Sequence, residues 1–319
     1  MTELAELYGP VADDIPLVGD LLATLGQDQQ PLLGEILAYV FRTGGKRLRP
    51  ALVLLSGKLG AYHRDRLVTL AASLEVVHTA TLVHDDTIDQ ALTRRGLKTV
   101  SAVWDSKVAI LTGDFLFAQS AELAARLDSV RIMSLLSETV MAMSTGELRQ
   151  YVSTKEREID ESDYFLRITG KTAALFAMCC EGGAIASEQP DEQVAALRQF
   201  GVNLGLAFQI ADDVLDFIGT EEELGKPAGS DFRQGTMTLP LILLAEELEP
   251  GDPLKTDIAT GRNLERVVRR VRESGAVDTA LRRADEYAAA AREALTVFPD
   301  HPAKGALLGL TDQVVRRSY

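Results

Sequence analysis

Three aspartates share one helical turn at two places in this chain, and like charges packed that closely limit what the surrounding helix can do. His84-Asp85-Asp86-Thr87-Ile88-Asp89 and Ala211-Asp212-Asp213-Val214-Leu215-Asp216 both carry the pattern Asp-Asp-x-x-Asp. Helix-like sequence precedes each: Ser73-Leu74-Glu75-Val76-Val77 in the first case and Leu204-Gly205-Leu206-Ala207-Phe208 in the second. At about 100° per residue, positions four apart lie about 40° apart around a helix. Asp85 and Asp89 therefore share a face with Asp86 beside them, and Asp212 and Asp216 repeat the arrangement. Their repulsion costs helix stability unless a cation offsets it. Carboxylate-only clusters suit hard cations, and Mg2+ typically takes one or two carboxylates together with substrate phosphates. A solvated acidic face is the plain alternative in a chain with 47 acidic residues. Two copies, each set in apolar sequence, favour metal binding.

A net charge of -14 excludes a broad nucleic-acid-binding surface, because phosphate contacts need a basic footprint. Hydrophobic residues make up 46% of the 319, enough for a large core. The two cysteines, Cys179 and Cys180, are adjacent, which is neither a disulfide framework nor a metal-ligand spacing. They read as small buried hydrophobes in a reducing compartment. The N-terminal sequence Met1-Thr2-Glu3-Leu4-Ala5-Glu6 lacks the basic and apolar regions of a signal peptide. No run reaches about 18 apolar residues, so no membrane span is expected. A cytoplasmic protein is the expectation.

Helical periodicity dominates. It predicts helices near 14–26, 31–42, 50–60, 64–91, 105–127, 128–156, 160–187, 191–218, 238–248, 262–274, 276–297 and 303–317. Gly44-Gly45 closes one helix and Pro50 sits in the first turn of the next, where proline is tolerated. Segments 105–127 and 171–187 are apolar nearly all round, as expected of helices in the middle of a bundle. The pattern predicts an all-α fold, a single large helical bundle over 1–319. Glu249-Pro250-Gly251-Asp252-Pro253 reads as a loop, and the Arg-rich helices beyond it, over about 254–319, read as outer ones.

The basic residues concentrate near glycines. Gly44-Gly45-Lys46-Arg47-Leu48-Arg49-Pro50 sets three cations beside two glycines, which permit close approach of the backbone. Arginine's planar fork suits phosphate oxygens. Thr93-Arg94-Arg95-Gly96 follows the first acidic cluster. It can clamp a diphosphate, or end a helix with Gly96 in the left-handed cap position. Lys171, in Gly170-Lys171-Thr172-Ala173, lies in apolar helix sequence and must either snorkel or meet an anion. Lys226 lies in the Gly/Pro-rich segment Leu224-Gly225-Lys226-Pro227-Ala228-Gly229-Ser230-Asp231, just after the second acidic cluster.

In this order, Gly-Gly-Lys-Arg-x-Arg-Pro, His78, His-Asp-Asp-x-x-Asp, Arg-Arg-Gly, Gly113-Asp114-Phe115-Leu116, Lys-Thr, Phe208-Gln209-Ile210-x-Asp-Asp-x-x-Asp, Gly-Lys-Pro and Thr238-Leu239-Pro240 resemble the trans-type polyprenyl diphosphate synthases. The resemblance covers about 35–245. It implies one α-helical bundle with a central cavity, a homodimer, and acidic helices facing across that cavity. It also implies condensation of isopentenyl diphosphate with an allylic diphosphate, with three Mg2+ ions per active site. Lys46, Arg49, His78 and Arg95 match the isopentenyl diphosphate site. Arg94, Lys171 and Lys226 match the allylic diphosphate clamp, and Thr172 and Gln209 the polar oxygens near the developing carbocation. Asp85, Asp89 and Asp212 match the principal Mg2+ ligands, supported by Asp86, Asp213 and Asp216. One departure stands out: Thr236 follows Gly235 where many members carry lysine, so a weaker phosphate grip is expected.

In such enzymes the residues one turn before the first aspartate motif form the cavity floor. Here they are Ala80 and Thr81, with Val77 and Leu74 deeper. Without an aromatic there, a medium or long product is expected, able to pass to membrane enzymes; Phe115 or Phe117 could stop the chain instead. A short-chain farnesyl or geranylgeranyl diphosphate synthase is the alternative within the class. A terpene cyclase fits poorly, because aromatics are only 6% and the second motif is aspartate-rich. A noncatalytic partner subunit would be expected to lose one motif, and both are intact.

Overall fold

The computed structural model describes residues 8–26, 30–42, 45–94, 96–157, 159–220 and 227–316. Among these the chain is almost entirely helical, as the periodicity predicts. Its residues sort into two compact units that interleave in sequence. One comprises Met1–Val140, Met178–Arg198 and Val297–Leu307, the other Met141–Ala177, Gln199–Thr296 and Leu308–Tyr319.

The first unit opens with a short 3-10 turn, Gly9–Val11, followed by α1 (Ile15–Thr24), α2 (Pro31–Arg42), α3 (Leu48–Gly57) and the long α4 (Arg64–Ile88). A two-residue hairpin (β1, Thr93–Arg94; β2, Leu97–Lys98), α5 (Val100–Val103), α6 (Ser106–Ala125) and the start of α7 (Val130–Glu156) follow. α4 is the axis, packed against α1, α3 and α6. Leu67, Leu70, Leu74 and Val77, at helical spacing, are fully buried, as are Leu52 and Leu55 of α3 and Leu116 and Leu123 of α6. Cys179 and Cys180 are free and buried in the same unit, and burial pushes the Cys180 thiol up to about 12. Both stay protonated, consistent with small hydrophobes.

The second unit contains the rest of α7, α8 (Glu161–Ile168), a π-helical turn (Thr169–Ala173) and the start of α9 (Ala174–Ala186). It also holds most of α10 (Asp191–Ile218), then α11 (Ser230–Gln234), α12 (Leu239–Glu247), α13 (Pro253–Thr260), α14 (Leu264–Glu273) and α15 (Ala276–Ala294). The last helix, α16 (Pro302–Arg316), begins in the first unit and ends in the second. The apolar α12 forms one core with Tyr164, Ile210, Val214, Phe217 and Phe232.

Several boundaries depart from the expected ones. The helix expected to run to 91 ends at Ile88, and Thr93–Arg94 pair with Leu97–Lys98 in the register Thr93↔Lys98 and Arg94↔Leu97. Gly96 serves that turn with φ +78 rather than a helix cap. α13 was not expected, although Asp252 caps it by accepting from the Leu254 N–H at 2.8 Å and Pro253 opens it. α6 is not buried all round: Ile110 and Leu111 are exposed. α4 and α6 are both long and apolar enough to cross a membrane by length and composition, although charged and polar residues interrupt the apolar run in each. α4, however, is mostly buried as a core helix.

The expected helix over 160–187 is interrupted by the π turn. There Gly170 meets Gly146 of α7: a Cβ at 146 would sit 2.7 Å from the Lys171 nitrogen, and one at 170 would sit 2.7 Å from the Ala142 carbonyl oxygen. Only glycine permits that approach. Gly146→Ala should therefore destabilise the fold by about 1–3 kcal/mol, read as a lower denaturant midpoint at unchanged slope. An unaltered midpoint would show that the crossing is not tight.

Candidate active site

α4 ends on the first aspartate cluster. Asp89 is its C-cap residue, donating its N–H to the Asp85 carbonyl at 2.8 Å. Asp85 is half-buried and Asp89 exposed, whereas Asp86 is buried. The Arg94 Nε donates to the Asp86 Oδ1 at 2.7 Å, so the hairpin carrying Arg94 is tied to the motif it follows. Burial raises the Asp86 pKa, opposed by the Arg94 guanidinium and assisted by Asp89.

His84 reaches the other way. Its Nε2 lies 3.0 Å from the Ile110 carbonyl, and a carbonyl can only accept, so Nε2 carries the proton. Its ring also packs on Phe117 at 5.7 Å between centroids, and a Cβ at Gly113 would collide with it. That contact accounts for the glycine in Gly113-Asp114-Phe115-Leu116.

The basic loop is anchored to the same helix. Arg47 caps α3 at a left-handed φ of +52, an uncommon conformation for a residue with a side chain. Its Nη1 donates to the Glu75 Oε1 at 2.7 Å, with the two side chains 18% and 9% exposed. Glu75 lies one turn before the half-buried His78, so one α4 face carries the anchor of the loop and the histidine. Lys46 is exposed and Arg49 half-buried. Arg95, Lys226 and Gly44 lie outside the described residues. Val77 and Ala80 are fully buried and Thr81 is half-buried, its hydroxyl donating to the His78 carbonyl at 2.8 Å.

The second cluster lies in the last turns of α10. Asp212 is exposed, and Asp213 and Asp216 are buried. The Asp216 Oδ2 accepts from the Asp231 N–H at 3.2 Å and so serves the start of α11. Asp213 takes the Tyr164 hydroxyl on Oδ2 at 2.7 Å and the Gln209 amide nitrogen on Oδ1 at 2.8 Å. Gln209 in turn accepts the Thr172 hydroxyl proton at 2.7 Å. Burial drives the Asp213 carboxyl up to about 8, with Asp231 and Asp212 adding to the rise and the Tyr164 and Gln209 bonds opposing it. Lys171 finds an anion, Glu147 of α7, at 2.6 Å, and also donates to the Gln150 Oε1 at 3.3 Å.

Sequence reasoning passed over Glu75, Glu147 and Tyr164. Glu147 had a usable signal, since it follows a glycine in the long α7 sequence.

Both clusters sit at helix C-termini, where the backbone dipole is negative and mutual repulsion adds to the cost. A hard cation relieves both. Among the described residues no group of three or more His, Cys, Asp or Glu side chains is arranged to hold a metal ion. Mg2+ binds one or two carboxylates and completes its shell with water and phosphate oxygens, and the half-buried Asp85 and the exposed Asp89 and Asp212 are chemically suited to it.

This architecture and these motifs belong to a known class. The polyprenyl synthetase family profile matches residues 30–274. The chain is 36% identical over 322 residues to the heptaprenyl diphosphate synthase component 2 of Geobacillus stearothermophilus, covering 99% of this chain and 100% of that one. A crystal structure of a polyprenyl synthase from Caulobacter crescentus, complexed with calcium and isoprenyl diphosphate, matches with a TM-score of 0.93 and 34% identity over 99% of this chain and 98% of that one. A decaprenyl diphosphate synthase from Rhodobacter capsulatus matches with a TM-score of 0.93 and 36% identity, covering 99% of each chain. The chain belongs to the polyprenyl synthetase family and is a prenyltransferase of the polyprenyl diphosphate synthase type.

The loop anchor yields a test. Glu75→Leu leaves the half-buried Arg47 guanidinium without its partner and should cost about 2–3 kcal/mol in chemical denaturation. Pairing it with Arg47→Met should restore most of that loss. Equal destabilisation by the single and double variants would show that the ion pair is not what holds the loop.

Proposed function

We propose that this chain condenses isopentenyl diphosphate with an allylic diphosphate, releasing diphosphate, to make an all-trans polyprenyl diphosphate of medium or long chain. The observation that carries this reading is the division of the six acids. Asp85 is half-buried and Asp89 and Asp212 are exposed, whereas Asp86, Asp213 and Asp216 are buried and held by Arg94, by Tyr164 with Gln209, and by the Asp231 N–H. The three nearer the solvent are assigned as principal Mg2+ ligands and the buried three as their support.

Bound Mg2+ would neutralise charge on the departing diphosphate as a Lewis acid. Lys171, Lys226 and Arg94 hold the allylic diphosphate electrostatically. Arg94 spends its Nε–H on Asp86, which aims its guanidinium. Lys46, Arg49, His78 and Arg95 hold isopentenyl diphosphate. When the allylic C–O bond breaks, its electron pair leaves with diphosphate. The isopentenyl double bond then forms the new C–C bond, and a proton is lost to the departing diphosphate. Thr172 and Gln209 face the cation with oxygen lone pairs. The buried Leu74, Val77 and Ala80 of α4 supply an apolar, water-excluding wall and floor. The absence of an aromatic among them supports a product beyond geranylgeranyl, as do the heptaprenyl and decaprenyl names of relatives.

A single catalytic domain, a homodimer and a cytoplasmic location belong to the same reading. The dimer is supported by exposed apolar residues: Val103, Ile110 and Leu111 on α5 and α6, and Met141, Leu148 and Val152 on α7. The two buried free thiols support a reducing compartment. One observation favours a second reading: a relative is named as one component of a synthase, so this chain could act with a second, different chain. The two intact aspartate motifs favour catalysis over a passive partner.

With Mg2+, labelled isopentenyl diphosphate and allylic primers from dimethylallyl to geranylgeranyl diphosphate, the purified chain should build products longer than geranylgeranyl. A chelator should abolish the reaction. Silence with every primer would favour the two-component reading. Asp85→Ala should lower kcat/KM by about 10²–10³-fold, and Ala80→Tyr should shorten the product. An unchanged product ladder in the latter would remove Ala80 from the floor.

A further inference from the structure

The chain Thr172–Gln209–Asp213–Tyr164 runs entirely within the second unit and is continuous in hydrogen bonds. Of the four, only Tyr164 has no role of its own in the reaction proposed above. An amide side chain has a donating end and an accepting end, and only its neighbours decide which way it points. Here both Asp213 oxygens accept, Oδ2 from the Tyr164 hydroxyl and Oδ1 from the Gln209 amide nitrogen, and that turns the Gln209 carbonyl oxygen toward Thr172. Thr172 spends its hydroxyl proton on that oxygen. The pair is left with oxygen lone pairs, rather than protons, for a neighbouring cation. Asp213 can hold this orientation only if its other oxygen is satisfied in its buried setting, and the Tyr164 hydroxyl, on a side chain 1% exposed, satisfies it.

We propose that Tyr164 is a positioning residue: by holding Asp213, it fixes the orientation of the Gln209 amide so that carbonyl and hydroxyl oxygens face the developing allylic cation. This deepens the prenyltransferase reading and rests on it. Tyr164 touches neither substrate nor metal. It acts through two intervening side chains, and its ring packs against Phe165 at 5.2 Å between centroids, so Phe can replace it with little change of volume.

The test is a double-mutant cycle in the complete chain with Mg2+ and both diphosphates, using Tyr164→Phe, Gln209→Ala and the two together. Tyr164→Phe should lower kcat about tenfold, with the KM for each diphosphate changed less than twofold. In the Gln209→Ala background it should cost nothing further, because the group it orients is gone. Additive losses, a shift confined to KM, or an unaltered kcat would overturn the proposal. Asp213→Asn gives a second arm. An Asn amide nitrogen can donate to Gln209 and let its amide turn over, so kcat should fall at least as far as in Tyr164→Phe; full activity there would also overturn it. The unmutated chain separates the two failures. If it makes no prenyl product, the enzyme reading falls; if it does and the cycle is additive, only the role of Tyr164 falls.

Discussion

Placing carboxylates at the negative end of a helix is unfavourable twice over, once from the backbone dipole and once from their mutual repulsion. α4 and α10 both do it, with their clusters at Asp85–Asp89 and Asp212–Asp216. The chain absorbs half of the problem itself. Arg94 on the hairpin meets Asp86, Tyr164 on α8 meets Asp213, and the first turn of α11 meets Asp216. Each short element beside a cluster thereby acquires a reason for its position. Asp85, Asp89 and Asp212 lie nearer the solvent, where a hard cation that also takes phosphate oxygens would offset their charge.

Burial and pairing compete within the engaged set. Asp86 and Asp213 are both pushed toward the neutral acid by burial, and in both cases the hydrogen-bond donors supplied by the protein pull the other way. The donors differ in kind. Arg94 brings a full positive charge to a half-open site, whereas Tyr164 and Gln209 bring neutral dipoles to a closed one. Asp213 is the more deeply buried of the two and has the Asp231 charge beside it, which accounts first for its larger rise; its neutral donors also oppose it less strongly than a guanidinium does.

Much of this was legible in the amino-acid order. Helix spacing in Leu67, Leu70, Leu74 and Val77 marks α4 as a core helix, and Asp191 after Pro190 marks the start of α10. The split of the acids was legible only in part, because the i, i+4 rule puts Asp212 and Asp216 on one face, yet Asp216 turns inward to the Asp231 N–H. That partner is remote in sequence and leaves no local trace. The hairpin at Thr93–Lys98 was hidden for a different reason. Two residues per strand are too few for an alternating pattern, and Gly96 reads equally well as a helix cap. α13 was missed although Asp252-Pro253 is a serviceable start signal, because the prolines and glycine around it read as loop.

The π turn is where local sequence says least and the candidate site depends on it most. An extra residue in one turn shifts the register of everything after it relative to what came before. Here that turn holds Lys171 and Thr172. Lys171 goes to Glu147 on α7, and Thr172 goes to Gln209 on α10. Two neighbours in sequence thus serve two different helices, one bringing positive charge and the other an oxygen. The same stretch brings the backbone at Gly170 against the backbone at Gly146. The close crossing brings the Lys171 stem to α7 without spanning a gap, so the lysine reaches Glu147 from a short distance. Gly146, Gly170 and the π turn are therefore one device. The glycines are the only part of it visible in the amino-acid order.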